Sequence, residues 1–436
     1  MKPSMPNFDM HAMRLGLYAD KYFLRTQEIL MKDNYDHSVH YQYFPRKDIV
    51  ICGIDHVLGI FKKCTGYYKD VEKARKLYYE IKSMDLDMMG PEEHEWYSYC
   101  IFQLNELWVD KFNEISFSSV LEGSNVNNME PCIGIIGNPK YFAHLETPTL
   151  GILAQQSAVA TSVREVCNLL NPNQKLLFFP ARFRHYLSQA PDGYASYIGG
   201  AHAFSTDSNG EYLGLPGVGT IPHLLIAAYE GNTALAALKF NEMIDPDIDR
   251  TILVDWDNNV IKSTLEVILA LFCRLNRTIF SEDNFRNLCN DVKNLSLETL
   301  IEKCKAAINI HKVIGKGKDK IFGVRFDTSG SLIDENVPKS SMNFGVCPEL
   351  VFNARKTFDE LGLNDLKIIV SGGFDLEKVK VFQAIKAPVD MYGIGSSIVN
   401  KFHVDFTADA VMLDGKPNAK VGRELKDWSK LIKYRD

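Results

Sequence analysis

Tyr197-Ile198-Gly199-Gly200 … Gly219-Thr220-Ile221-Pro222-His223 is the stretch whose reading decides the fold. An apolar strand is expected to end in the paired Gly199 and Gly200, and a second in Thr220 and the lone His223. Two strand ends placed this way form the floor of an anion site. The histidine beside it has a side chain able to carry a proton, a metal or a phosphoryl group. Val370-Ser371-Gly372-Gly373 and Tyr392-Gly393-Ile394-Gly395-Ser396-Ser397 repeat the layout. The repetition points to an enzyme acting on a phosphorylated substrate.

Outward from this stretch, a strand-then-helix rhythm sets in beyond residue 150. Strands are expected at 176–179, 195–199, 215–219, 251–254, 322–326, 368–370 and 391–394, the first six each followed by a segment long enough for a helix. That is the grammar of a parallel α/β barrel, here with seven strands. Before residue 150 helices and strands mix. Residues 17–30 put Tyr18, Tyr22, Thr26, Ile29 and Leu30 on one helical face. Segments 40–44, 49–52 and 130–136 read as strands, 96–112 and 147–170 as helices. The expected fold class is α/β: an irregular seven-stranded α/β barrel over residues 151–402, plus an α+β sandwich-like domain. That second domain would be built from residues 1–150 and completed by the C-terminal tail, about 403–436.

Composition sets the outer limits. At 436 residues, 46% of them apolar, the chain is long enough for two cores. Its hydrophobic runs are too short to span a bilayer, and residues 1–7 lead into no apolar segment of the signal-peptide kind. A net charge of −6 with interspersed signs argues against nucleic acid as the main partner. The nine cysteines are scattered, odd in number and without a CxxC pair. They read as reduced core residues, neither a disulfide framework nor a zinc site. A cytoplasmic protein acting on small molecules is expected, with no membrane and no nucleic acid among its partners.

Polar residues fall at the carboxyl ends of the expected strands, where a barrel does its chemistry. Arg182 follows the first strand, Ser205 and Thr206 the second, His223 the third, Asp255 and Asp257 the fourth. Arg325 and Asp327 close the fifth, Ser371 the sixth, Gly395 and Ser396 the seventh. Unpaired charge at the end of a buried strand is costly, so packing alone does not explain it. In Ser371-Gly372-Gly373 and Gly393-Ile394-Gly395-Ser396 the missing side chains let backbone N–H groups approach an anion. Together they suggest a cup for a sugar 5′-phosphate, with tight strand-to-helix turns as the plain alternative. Asp255 and Asp327 offer hard oxygen ligands for magnesium on a diphosphate, or an internal salt bridge to Arg182 or Arg325. His223 reads either as a satisfied core histidine or as a functional one. Arg46 and Lys47 either reach a diphosphate or form a solvated surface pair. Phe179 near Arg182 suggests a flat ring over an anion contact, or core packing beside a salt bridge.

Taken in order, several blocks resemble the nicotinate phosphoribosyltransferase family, in particular its archaeal and clostridial branch. They are Tyr18-Ala19-Asp20-Lys21-Tyr22-Phe23-Leu24-Arg25-Thr26, Phe44-Pro45-Arg46-Lys47-Asp48, Phe142-Ala143-His144-Leu145-Glu146-Thr147 and Gly219-Thr220-Ile221-Pro222-His223. Gly323-Val324-Arg325-Phe326-Asp327-Thr328 and Asp405-Phe406-Thr407-Ala408-Asp409 … Lys420-Val421-Gly422-Arg423 complete the set. Departures are Phe178-Phe179-Pro180-Ala181, where many relatives have Asp-Phe-Gly before the arginine, and the bulky Phe204 beside Ser205.

The resemblance implies transfer of a phosphoribosyl group from phosphoribosyl diphosphate to nicotinic acid, with Mg2+ as cofactor and ATP as co-substrate. It implies that Tyr22 stacks on the pyridine ring from a neighbouring subunit, in a homodimer or higher assembly, and that Phe179 stacks on the other face. Arg182 and Arg325 would surround the carboxylate. Ser205 would stand where nicotinamide-using relatives carry an aspartate, which would repel a carboxylate. His223 would match the histidine phosphorylated by ATP, and Asp255 and Asp327 the acids near ribose and magnesium. Gly372, Gly373, Gly393 and Gly395 would form the 5′-phosphate cup. Nicotinamide or quinolinate as substrate, or a catalytically silent binding protein, are the alternatives.

Overall fold

The computed structural model describes residues 8–276 and 282–434; the N-terminal stretch 1–7 read above as no signal peptide lies outside them. Two large sheets organise the chain. In order along it their strands are β1 (Val39–Pro45), β2 (Ser116–Ser119), β3 (Ile133–Gly137), β4 (Lys175–Phe178), β5 (Ala203–Phe204) and β6 (Thr251–Leu253). There follow β7 (Gly323–Phe326), β8 (Lys367–Val370), β9 (Met391–Ile394), β10 (Phe406–Leu413), β11 (Lys416–Pro417) and β12 (Ile432–Lys433).

The antiparallel sheet runs β11-β10-β1-β3-β2-β12, so the N-terminal part and the tail interleave in it. β1 is central: Val39 pairs with Leu413 on one side and with Gly137 on the other. Alternation along β1 does not leave one face in water, because the tail covers the outer side. Gln42 is buried, donates to the Glu424 carbonyl at 3.0 Å and accepts from the Trp428 indole N–H at 3.2 Å. Gly134 makes room for that indole: a Cβ there would lie 2.8 Å from it.

The second sheet is parallel throughout, in the order β6-β7-β8-β9-β4-β5. Its strands are short apolar runs buried on both faces, as expected of a sheet flanked by helices. Among the described residues it has six strands, and its end strands β5 and β6 do not pair, so it is a curled half-barrel rather than a closed barrel of seven. The helix Glu146–Cys167 joins the two sheets. Leu153 and Ala158 pack into the antiparallel core, Val159, Val163 and Val166 into the parallel one. No helix of the described residues is long and apolar enough to cross a membrane.

Two expected strands of the opening stretch are corrected. Residues 195–199 form the end of the helix Gln189–Gly199, and the paired glycines are its stop. Gly200 adopts φ +113°, and its N–H donates to the carbonyls of Ser196 and Tyr197, the left-handed helix end for which glycine is suited. Residues 215–219 are irregular. Pro216 lacks a donor and Gly217 and Gly219 lack side chains to pack, so only a single backbone bond, Val218 N–H to the Phe204 carbonyl at 2.7 Å, ties the segment to β5. The missing seventh strand is this segment. The remaining expected strands appear within three residues of their expected bounds, the widest gap being the start of β3 at Ile133 rather than 130.

Candidate functional site

The carboxyl ends of β4, β5, β7, β8 and β9 converge on one cavity of about 420 Å³. Of the residues singled out in the sequence, Phe179, Arg182, Ser205, Arg325, Asp327, Ser371, Gly372, Gly373, Gly393, Gly395 and Ser396 line it. At its centre is a closed hydrogen-bonded ring. Arg325 Nη2 meets Asp327 Oδ2 at 2.8 Å, Arg325 Nε donates to Ser371 Oγ at 2.8 Å, and Ser371 Oγ donates to Asp327 Oδ1 at 2.7 Å. Thr220 Oγ1 accepts from Arg325 Nη1 at 3.4 Å, and the guanidinium lies 5.7 Å from the Phe179 ring centre. The salt-bridge alternative for Asp327 is therefore realised, within the cavity itself. Arg325 is held rigidly by residues from three elements, and the Ser371 hydroxyl is committed to that work.

Arg182 is different. It sits on the tight turn Ala181–Phe183 after β4, with its guanidinium 5.2 Å from the Phe183 ring centre. Among the described residues it has no carboxylate or hydrogen-bond partner. A cation left unpaired in a concave site is a place for an anion. Ser205, after β5, has its hydroxyl buried without a hydrogen-bond partner among the described residues, which is costly unless a ligand completes it.

The two glycine turns form the floor for different reasons. Gly372 and Gly373 have φ of +82° and +74°, a conformation costly for any other residue. Among the described residues their N–H groups have no backbone acceptor. The helix that follows, Leu376–Ala384, is capped by its own Asp375, which accepts from Lys378 N–H at 2.9 Å. The donors open to an anion are thus those of the turn, not of the helix start. Gly393 and Gly395 are instead required by packing: a Cβ at 393 would lie 2.8 Å from the Phe179 ring, and one at 395 would lie 2.5 Å from the Phe179 carbonyl.

His223 opens the short helix His223–Ala228 close by, outside the cavity lining. Its Nε2 meets Asp255 Oδ1 at 3.0 Å; the histidine side chain is 48% exposed and the aspartate 7%. Burial raises the Asp255 carboxyl above its usual range; His223 works against this, and the charge of Asp327 adds to it. A like charge nearby disfavours the ionised form of a carboxyl group, and a bound cation would work the other way. Among the described residues no group of three or more His, Cys, Asp or Glu converges. Asp255 and Asp327 offer hard oxygen donors, and a magnesium ion there would have to take most of its ligands from water and substrate phosphates.

Three expected residues are elsewhere. Tyr22, on the helix Lys21–Lys32, is 58% exposed, and its hydroxyl donates to Asp20 at 3.3 Å. Arg46 Nε donates to Thr407 Oγ1 at 2.8 Å and Lys47 Nζ to the His403 carbonyl at 2.7 Å. None of the three lines the cavity of its own chain. Conversely, Phe183, Val218, Thr220 and Phe374 line it without having been assigned a role from sequence. Thr220 lay inside the quoted histidine block, and Phe183 directly follows Arg182, the one signal that pointed to it.

No protein-family model matches the chain. Among solved structures it resembles nicotinate-nucleotide pyrophosphorylase from Pyrococcus furiosus, with a TM-score of 0.63 and 22% identity over 96% of this chain and 82% of that one. Human nicotinic acid phosphoribosyltransferase follows, with a TM-score of 0.53 and 16% identity over 92% and 76%. The fold is thus the one shared by these two kinds of enzyme. In sequence the chain is 24% identical over 285 residues to nicotinate phosphoribosyltransferase of Bacillus subtilis, covering 65% of this chain and 46% of that protein. It is 28% identical over 125 residues to the human enzyme, covering 28% and 22%. The chain spans less than half the length of the curated relatives it matches. In sequence it is thus similar to the nicotinate phosphoribosyltransferases, the family that the sequence blocks resemble.

Proposed function

We propose that the chain is a nicotinate phosphoribosyltransferase, which forms nicotinate mononucleotide and diphosphate from nicotinic acid and phosphoribosyl diphosphate in NAD biosynthesis. The observation that carries this reading is the cavity that unites the ring platform of Phe179, the unpaired Arg182 and the orphaned Ser205 hydroxyl with the Gly372-Gly373 turn. An aromatic acid meets the first three, a sugar phosphate the turn. The pyridine nitrogen attacks C1 of the ribosyl group as the C1–O bond to diphosphate breaks, through an oxocarbenium-like state. That nitrogen is already a nucleophile, so no general base is needed. Arg325, held by Asp327, Ser371 and Thr220, contributes a fixed positive field, which costs no reorganisation during the reaction. Magnesium held at Asp255 and Asp327 would stabilise charge on the leaving diphosphate.

The His223–Asp255 contact supports a further role. Nε2 donates to the carboxylate, which leaves the lone pair on Nδ1 as the nucleophile toward the γ-phosphorus of ATP. The P–O bond to ADP breaks, and the phosphoryl group later passes to water. Exposed Tyr22, and Arg46 and Lys47 away from the cavity, support a homodimer in which one protomer completes its partner's site. We read the cavity as belonging to a unit of residues 151–402, with 1–150 and about 403–436 forming the other.

The test is turnover of nicotinic acid with phosphoribosyl diphosphate and Mg2+, with and without ATP, in wild type and His223→Ala. Nicotinate mononucleotide should form in both, with an ATP stimulation confined to the wild type. Stimulation that persists in the variant would remove His223 from the coupling.

A further inference from the structure

We propose that Phe183 is a positioning residue that sets the plane of the Arg182 guanidinium and so the orientation of a planar carboxylate in the cavity. The inference rests on the reading of the cavity given above and adds to it a residue with no assigned role. Arg182 has no ionic or hydrogen-bonding partner among the described residues; the centre of the Phe183 ring lies 5.2 Å from its guanidinium carbon. Arginine has many rotamers to lose, and an exposed one without a partner would sample them. A flat guanidinium is attracted to the face of an aromatic ring, and the attraction grows as water is excluded.

The ring also touches the cavity floor. A Cβ at Gly395 would lie 2.8 Å from Phe183 Cε2, so the ring is seated against the turn that carries Ser396. Phe183 remains 38% exposed and lines the cavity. It therefore rests on the turn at Gly395 and is open to the cavity. The site has two arginine–phenylalanine pairs, of opposite design. Arg325 over Phe179 is locked by three polar partners, whereas Arg182 over Phe183 depends on the ring alone. Loss of the ring should thus free a cation that a substrate carboxylate has to find in place.

Two readouts test this. The first needs no substrate: labelling of Arg182 by phenylglyoxal in the ligand-free protein, followed by peptide mass spectrometry. Phe183→Leu should label about threefold faster than wild type and Phe183→Trp at the wild-type rate, because the aromatic face is kept. Equal rates in wild type and Phe183→Leu would overturn the proposal, whatever the substrate proves to be. The second is kinetic. Phe183→Leu should raise KM for nicotinic acid by about 5–20-fold with kcat within about twofold, and should add nothing in an Arg182→Ala background. Full additivity of the two substitutions would show that Phe183 acts on packing and not through Arg182. Should Phe183→Leu fail to fold, Phe183→Met, which keeps volume without an aromatic face, is predicted to behave as the leucine variant is. If labelling responds as predicted but nicotinic acid is not turned over, the substrate assignment fails and the positioning role stands.

Discussion

The orphaned hydroxyl of Ser205 separates what a residue does for stability from what it does for binding. It is a buried polar group with no partner among the described residues, so Ser205→Ala should leave the melting temperature unchanged or slightly raised. The same substitution should raise KM for nicotinic acid several-fold, because the hydroxyl's partner arrives with the ligand. Ser205→Asp should be worse by about a further tenfold, since a carboxylate would both repel the substrate and neutralise Arg182. Steady-state kinetics beside a thermal melt checks all three. Gly393 gives a contrasting case. Gly393→Ala places a methyl group 2.8 Å from the Phe179 ring and should cost about 1–3 kcal/mol by denaturant unfolding, with loss of the ring platform. The residues themselves were legible in the sequence because their types are unusual at strand ends. Their partners were not: nothing in the sequence says that Ser371 closes a ring between Arg325 and Asp327.

Among the elements, the junction of β1, β10 and the helix Glu146–Cys167 has a clear electrostatic signature. Glu146, at the start of that helix, is pushed up to about 8 by burial first, then by Asp409 on β10 and by Asp20 ahead of the helix Lys21–Lys32. Tyr41 on β1 donates its hydroxyl to it, and Arg423 from the tail neutralises Asp409 at 2.5 Å. A carboxyl whose folded pKa lies above its unfolded value of 4.5 binds a proton on folding between the two. Stability then falls as pH rises from about 4.5 to about 8 and is level beyond. Glu146→Gln removes this dependence. The melting temperature of the variant should exceed that of wild type by about 2–4 °C at pH 8 and match it near pH 4.5. An equal difference at both pH values would contradict the account. The strands of the parallel sheet were legible as apolar runs between helix-length segments. The two misread segments show the limit of that signal. An apolar run before Gly199-Gly200 suits a strand end or a helix end alike, and only packing against the helix Glu146–Cys167 decides. Residues 215–219 had the position of a strand but not its chemistry, since proline and glycine withhold the donors and side chains that pairing needs.

For the molecule as a whole, the proposed shared site makes a prediction that no single chain can satisfy. Tyr22→Ala and Arg325→Ala should each be inactive alone. Mixed after unfolding and refolding together, half the dimers would be hybrid, with one intact site of two, restoring about a quarter of wild-type activity. No recovery would mean that Tyr22 serves its own chain or none. The tail carries a second whole-molecule dependence, since Trp428 covers Gly134 and holds Gln42 across the antiparallel sheet. Trp428→Ala should lower stability by about 1–3 kcal/mol without altering KM, read by urea unfolding beside the kinetic assay. The central claim is the substrate. Its most direct test is turnover of nicotinic acid, nicotinamide and quinolinic acid side by side, each with phosphoribosyl diphosphate and Mg2+. The account predicts nicotinate mononucleotide from nicotinic acid at a kcat/KM at least about 100-fold above that for the other two. A preference for nicotinamide or quinolinic acid would contradict it, and so would binding of phosphoribosyl diphosphate without turnover of any of the three.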